Sequence, residues 1–400
     1  MTFERRSLTF FESLFYAWQV GPVVASVTLE GQVDTAVMDR AVCLLRRDHP
    51  LLRCSFDRTE DGVALVLGEA GAGLAQVAPG SNALADELNI ALEPERPVSR
   101  ISLSREGDSA VLSLAGDHAG SDARLNTLLL RKLLEYYTDL LRGVDPAPTG
   151  KPAFAGSLEE ALLAAYEPGP VRLPDDTDPP LMLAGPADAP GALAVRSLSY
   201  EQDTTAELIA AARRGGISIT SLLTGAMACA IRDQFSDAGP MPVSSAFAVD
   251  LRPRVEPPIA PDAPFCCVAR LVCGTNVESH DQPVEVGRRI GTQLKGALDR
   301  DEIQHRLLAQ RLAGEPTPLP PISFMVSNIG IIEEYPVPDG LRVTDSRWAT
   351  TSRGPVPTLF GSTTGGRLTL DLVYDTAFHR ADVMDDVVKH FEASLLASRH

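Results

Sequence analysis

One histidine in this sequence stands where a side chain could do acid–base work. The chain holds seven histidines. His49 precedes Pro50 at the end of a helical pattern, where capping or packing accounts for it; His280, His305, His379, His390 and His400 fall in polar stretches that suit solvated side chains. His118 instead follows an apolar strand pattern that ends at Gly116, with Asp122 four residues on in the loop His118-Ala119-Gly120-Ser121-Asp122. A loop between a strand end and a helix presents a reactive side chain from rigid support. Neutral imidazole, with a reference pKa of about 6.5, can take a proton near neutral pH and pass it on. Asp122 has two readings: it orients the imidazole as in a triad, or it turns away and pairs with a cation that fixes the loop.

The elements around this loop follow from periodicity. Ile101 and Leu103, then Ala110, Leu112 and Leu114, alternate on either side of Arg105-Glu106-Gly107-Asp108, which predicts two half-buried strands joined by a tight turn. Leu125, Leu129, Leu133, Tyr137 and Leu140 then recur at helical spacing up to Gly143. Upstream, Val27 and Leu29 alternate briefly, and Asp34 caps an amphipathic helix carrying Val37, Ala41, Leu44 and Leu45. Ten of the 31 prolines lie between Gly143 and Gly191, so residues 146–195 are expected to form a crossover linker between domains at 1–145 and 196–400. In the second half, Thr204-Thr205-Ala206-Glu207 reads as a capping box opening a helix that stops at Gly215-Gly216. A helix from Thr220, one through Val286, Ile290, Leu294 and Leu298, a buried strand over 322–326, a Gly365-Gly366 hairpin and a last helix from about Ala381 complete the pattern. Helices and strands mix in both halves, which predicts two α/β sandwiches of similar size.

Composition narrows the chemistry. With 400 residues, 44% of them apolar, the chain can bury a large core. Its formal charge of −17 argues against an extended nucleic-acid or anionic-membrane footprint. Apolar stretches such as Leu222–Ile231 are too short for a membrane span, and residues 1–12 lack the pattern of a signal peptide. Six cysteines show no metal-ligand spacing, so no metal is expected; they read as reduced thiols of a cytoplasmic protein, with Cys266-Cys267 as packing residues. Gly68-Glu69-Ala70-Gly71-Ala72-Gly73 lacks the context of a dinucleotide fold, and Gly150-Lys151 sits in the Pro-rich stretch without a P-loop motif. Arg213-Arg214 and Arg288-Arg289 read as solvated helix faces.

Four blocks carry a resemblance. Ala115-Gly116-Asp117-His118-Ala119-Gly120-Ser121-Asp122-Ala123 resembles the HHxxxDG active-site motif of the condensation-domain and chloramphenicol acetyltransferase superfamily. Val33 to Phe56, with Arg47-Asp48-His49-Pro50-Leu51-Leu52-Arg53, is similar to its opening block. Val249-Asp250-Leu251-Arg252-Pro253-Arg254 and Ser327-Asn328-Ile329-Gly330 resemble two further blocks, in the correct order along nearly the whole chain. The free-standing chain is most similar to the polyketide-associated acyltransferases, the phthiocerol dimycocerosyl transferase type. It departs from the motif twice: Asp117 stands where the first His is usual, and Ala123 where Gly is usual.

The resemblance implies two chloramphenicol-acetyltransferase-like α/β sandwich domains forming a pseudo-dimer with an interface tunnel. It also implies an O-acyltransferase that uses acyl-CoA or the phosphopantetheine thioester of an acyl carrier protein as cosubstrate. No bound cofactor is implied, and the acceptor would be a small-molecule alcohol, polyketide-like or lipid. His118 would be the general base, lying open to the incoming nucleophile. Asp122 would be structural with Arg252 as its cation, and Ser327 and Asn328, or nearby backbone N–H groups, would face the oxyanion. The absence of a GxSxG elbow agrees with direct attack. The same site could form an amide, as condensation domains do. A non-catalytic docking protein on a megasynthase is the reading from another class, and the intact His118 and Asp122 count against it.

Overall fold

The computed structural model describes residues 4–399 apart from 61, 69–72, 81, 92–96, 151–153, 155, 168–178, 238, 317–319 and 352. Most of the Gly-rich 68–73 run, Lys151 and part of the Pro-rich stretch lie outside the described residues. The first half of the chain runs β1 (Arg5–Ser7), α1 (Phe10–Ala17), β2 (Val23–Glu30), α2 (Thr35–Asp48), β3 (Cys54–Thr59), β4 (Gly62–Leu67), β5 (Ala75–Val77), α3 (Ala83–Asn89), β6 (Ser99–Glu106), β7 (Ser109–Gly116), α4 (Ala123–Leu141) and α5 (Leu158–Ala165). The second half runs β8 (Leu193–Tyr200), α6 (Gln202–Arg214), α7 (Ile219–Arg232), β9 (Met241–Asp250), β10 (Val268–Val277), α8 (Pro283–Asp299), α9 (Glu302–Ala313), β11 (Phe324–Ile332), β12 (Arg342–Thr350), β13 (Thr358–Thr364), β14 (Arg367–Asp375) and α10 (Ala381–Ala397).

These elements build two compact units. The first comprises Met1–Ala165, Leu251–Cys267 and Ile332–Thr351; the second comprises Tyr166–Asp250, Val268–Ile331 and Ser352–His400. The expected domains, 1–145 and 196–400, were each continuous, whereas the first unit takes in two segments from far along the chain. Strand pairing is the physical reason for one of them. β12 pairs antiparallel with β2 from Arg342↔Glu30 to Thr350↔Val23, so it supplies an edge to the first unit's sheet, order β12-β2-β7-β6-β5. The segment 251–267 is closed on itself by the Leu251 N–H donating to the Cys267 carbonyl at 2.8 Å. Sequence periodicity reports which face of a strand is buried and carries no record of its partner, so neither return was readable.

In the first unit α4 lies against β2, β7 and β12 and packs on α2. Asp34 caps α2 as expected, its Oδ1 accepting from the N–H groups of Ala36 at 3.0 Å and Val37 at 3.1 Å. A second small sheet, order β1-β4-β3, belongs to the same unit. In the second unit the sheet runs β10-β9-β11-β13-β14-β8, and α7 packs against α8 and α10. The helix α7 is buried on nearly every side, from Ser221 to Arg232, which is what a helix apolar all round requires. The expected capping box at Thr204 is absent. The helix α6 begins at Gln202, and Thr205 sits inside it, donating from Oγ1 to the Tyr200 carbonyl and accepting from the Leu368 N–H, both at 3.0 Å. The hydroxyl thus ties α6 to β14.

Candidate active site

The loop between β7 and α4 is shaped by close approach to the strand it leaves. A Cβ added at Gly116 would lie 2.5 Å from Ser121 Oγ and 3.2 Å from Asn126 Nδ2, so only glycine lets the loop fold back there. The Asp117 carbonyl accepts from the N–H groups of Gly120 at 3.1 Å and Ser121 at 3.0 Å, and from Ser121 Oγ at 3.1 Å. Asp122 then caps α4, its Oδ1 accepting from the Leu125 N–H at 3.0 Å. Ala123 is the first helical residue and does not have positive φ, so the missing motif glycine imposes no strain at this turn.

Asp122 is held at its other oxygen as well. Oδ2 accepts from the Cys267 N–H at 2.8 Å and faces Arg252 Nη1 at 2.9 Å, with both side chains of the pair almost wholly buried. Arg252 Nη2 also reaches the Phe265 carbonyl at 3.4 Å. The structure therefore brings Asp122 and Arg252 together, through the closed 251–267 segment. The carboxylate is committed to a helix cap, an amide and a guanidinium.

The His118 imidazole finds a different partner: its Nδ1 lies 2.9 Å from the Ser121 carbonyl oxygen. A carbonyl can only accept, so Nδ1 carries the hydrogen, and in the neutral ring the lone pair belongs to Nε2. Cys266 Sγ lies 3.6 Å from the same Nδ1, and the ring of Phe15 stacks on the imidazole at a centroid distance of 4.6 Å and an interplanar angle of 24°. These neighbours leave His118 only 9% exposed, so the ring is far more covered than the expected open imidazole. The reason is tertiary: α1 supplies Phe15 and the 251–267 segment supplies Cys266, neither of which the loop's own sequence announces.

Two neighbouring features complete this environment. Gly21 (φ +157°) lies so close that a Cβ there would come within 3.2 Å of the His118 backbone nitrogen; its own N–H donates to Thr351 Oγ1 at 2.7 Å. Asp117, in the place of the usual first His, accepts from the Ala119 N–H at Oδ1 at 2.9 Å. Burial pushes its carboxyl up to about 6, only partly offset by that hydrogen bond. The residue beside the imidazole therefore titrates near neutrality.

Ser327 and Asn328 lie in β11, in the second unit, while His118, Asp122 and Arg252 lie in the first. Ser327 is buried, and the Asn328 amide donates from Nδ2 to Thr220 Oγ1 at 3.1 Å and accepts from the Gly330 N–H at 2.9 Å. Cys266, Cys267 and Phe15 are the neighbours that sequence reasoning missed. Cys266-Cys267 read as packing, and nothing in Phe10–Ala17 distinguishes Phe15 from the other aromatic residues of that helix. No group of three or more potential metal ligands exists among the described residues.

Residues 189–373 match the model of the phthiocerol/phthiodiolone dimycocerosyl transferase C-terminus. A phthiocerol/phthiodiolone dimycocerosyl transferase of Mycobacterium tuberculosis strain H37Rv is 25% identical over 368 residues, covering 85% of this chain and 84% of that protein. The chain is similar to phthiocerol dimycocerosyl transferases along most of its length. In fold, it is similar to polyketide synthase associated protein 5 from Mycobacterium tuberculosis, with TM-score 0.76 and 19% identity over 98% of this chain and 97% of the other. It is also similar to the TRI3 trichothecene 15-O-acetyltransferase from Fusarium sporotrichioides, with TM-score 0.74 and 13% identity over 99% and 96%. The architecture is the mixed α/β one of two chloramphenicol-acetyltransferase-like lobes, and the named relatives support an ester-forming acyltransferase. Among the described residues no single helix is long and apolar enough to cross a membrane.

Proposed function

We propose that this acyltransferase moves an acyl group from a CoA or acyl-carrier-protein thioester directly onto a hydroxyl of a polyketide-like or lipid acceptor, with His118 as general base. The observation that carries this reading is the tautomer imposed by the Ser121 carbonyl, which leaves the lone pair on Nε2. An alcohol is too weak an acid to ionise unaided near neutral pH, so a base is needed as it attacks. Nε2 takes the hydroxyl proton while the oxygen adds to the thioester carbonyl. The tetrahedral intermediate then collapses, the C–S bond breaks, and the departing thiolate receives the proton held on Nε2. No covalent acyl-enzyme is needed.

Asp122 and Arg252 serve the site by fixing the loop that carries His118. Ser327, Asn328 or backbone N–H groups near them are the proposed donors to the oxyanion. The name of the curated relative supports an acceptor resembling phthiocerol and an acyl group resembling a mycocerosyl chain.

The test is thiol release from a panel of acyl-CoA donors with alcohols and amines as acceptors. Ester products are expected, and His118→Ala should lower turnover by about 10²- to 10⁴-fold with the protein still folded. Turnover unchanged by that substitution would sink the assignment of the base, and a preference for amine acceptors would replace ester with amide formation.

A further inference from the structure

The stacked contact between Phe15 and His118 has chemical content beyond packing. A base that takes a proton becomes an imidazolium in the middle of the reaction, and that cation must be tolerated in a largely covered place. The aromatic face carries negative quadrupole density, so a cation held above it is attracted, most strongly where water is excluded. Here the two rings lie at 4.6 Å and 24°, face against face. On the ring's edge, the Ser121 carbonyl accepts from Nδ1 and becomes a charge-assisted acceptor once the ring is protonated.

We propose that Phe15 is a positioning residue of the acyl-transfer site: its ring fixes the plane of the His118 imidazole and favours the imidazolium that forms when the base takes its proton. The inference rests on the reading of His118 as the base. The helix α1 is anchored for this task. Thr9 and Glu12 form a capping box, Glu12 is paired with Arg6 at 2.8 Å, and the Phe10 N–H donates to Glu159 Oε2 at 2.9 Å. Phe15 is therefore presented from a helix tied down at its start.

Charged and titratable groups stand on each of the elements that meet the imidazole. On its own loop stand Asp117 and Asp122, the latter paired with Arg252 from the 251–267 segment. That segment also brings Cys266. On α1, Glu12 is committed to Arg6, and Tyr16 accepts at its hydroxyl from Arg58 Nε at 2.6 Å. Phe15, on the same helix, presents its aromatic face to the imidazole.

Two physical effects of Phe15 oppose each other, which makes the sign of the outcome decisive. Covering the ring disfavours the cation; the quadrupole favours it. Phe15→Leu keeps an apolar cover and removes the quadrupole. Pentafluorophenylalanine at position 15 keeps size and shape and inverts it. The experiment follows the His118 ring by NMR titration in the full-length protein, with the resonance assigned by its loss in His118→Ala, alongside the pH profile of kcat/KM. Either replacement should lower the ring's pKa by about half a unit and move the acid limb of the profile down with it. Turnover at the plateau should fall on the order of tenfold for Phe15→Leu, and Phe15→Tyr should restore both. A ring pKa that stays or rises, or a fall in turnover without any movement of the titration, would overturn the proposal. If His118→Ala left turnover intact, the assignment of the base would fail, while the ring titration would still report whether Phe15 acts on His118.

Discussion

The two units each contain a strand that leads through a short loop into a helix, and at each such junction stand a histidine and a wholly buried carboxylate. In the first unit the path is β7, His118, Asp122, α4; in the second it is β14, Asp375, His379, α10. The carboxylates are stabilised by different means. Asp122 meets a guanidinium, whereas Asp375 receives three backbone N–H groups, from Gly191 at 2.8 Å and Ala377 at 2.9 Å on Oδ1 and from Gly354 at 3.0 Å on Oδ2. The histidines differ as well. His118 has an acceptor for Nδ1 and a defined tautomer, while His379 is only 3% exposed and neither of its ring nitrogens meets a good hydrogen-bond partner among the described residues. A common local architecture thus yields a ring with a directed lone pair in one unit and a packed ring in the other. What separates them is the second partner each residue finds, and for Asp122 and His118 that partner comes partly from the distant 251–267 segment.

The largest expected effect sharpens the contrast between the carboxylates. Asp122→Asn takes the carboxylate out of the buried pair with Arg252 and should cost about 3 to 5 kcal/mol, read as a lowered melting temperature and folded yield. Asp375→Asn strands no cation and weakens hydrogen bonds to one charged acceptor, so a loss of about 1 to 3 kcal/mol is expected. Combining Asp122→Asn with Arg252→Met should recover part of the first loss, because the guanidinium that paired with Asp122 is gone too. Equal costs for the two asparagine variants would erase the distinction drawn here. If Asp122→Asn kept full stability yet lost nearly all turnover, Asp122 would belong to the chemistry and not to the scaffold.

How much of this was legible in the sequence depends on range. Asp34 as a cap, the turn at Gly107, the helix after the His118 loop and the Gly365-Gly366 hairpin all depend on residues within a few positions of one another, and the structure has each of them. The loop with His118 was legible for the same reason. Pairings across long separations were not: β12 with β2, the Cys267 amide with Asp122, and Phe15 with His118 leave no periodic trace. His379 was expected to be solvated because its neighbours in sequence are polar. It is buried beside the edge of Tyr374, at a centroid distance of 6.3 Å and 89°, because the loop turns inward around Asp375. Local polarity misled where a buried carboxylate reorganised the turn.

A second prediction concerns Asp117, the residue before His118. Its carboxyl titrates at about 6 in the folded protein against an ordinary value of 3.8. The unfolded chain therefore ionises first as pH rises, and the folded state carries the full burden of the buried charge only above about 6. Asp117→Asn keeps an oxygen for the Ala119 N–H and removes that charge. The variant should be more stable than the parent at pH 8, by about 3 kcal/mol, and most of the advantage should vanish near pH 4. Melting temperatures at the two pH values read it directly; an advantage that persists at pH 4 would show that charge is not its source.

The smallest expected effect tests whether His379 is the packed ring of the comparison. Burial lowers its pKa below 6.5, opposed by the nearby Pro355 carbonyl and by Asp375. As pH falls, the unfolded chain takes up the proton before the folded one, so the parent loses stability from about its ordinary histidine range downward, until the folded ring is protonated too. His379→Phe removes the titrating group while filling a similar volume, so its stability should fall less steeply between pH 7 and 5, and acyl transfer should continue at the parent rate. Chemical denaturation across that interval, with turnover measured on the same preparations, supplies both readings. An unchanged slope would mean that the ring is not held neutral by burial; a large loss of turnover with stability intact would make His379 a second functional imidazole and collapse the difference between the two loops.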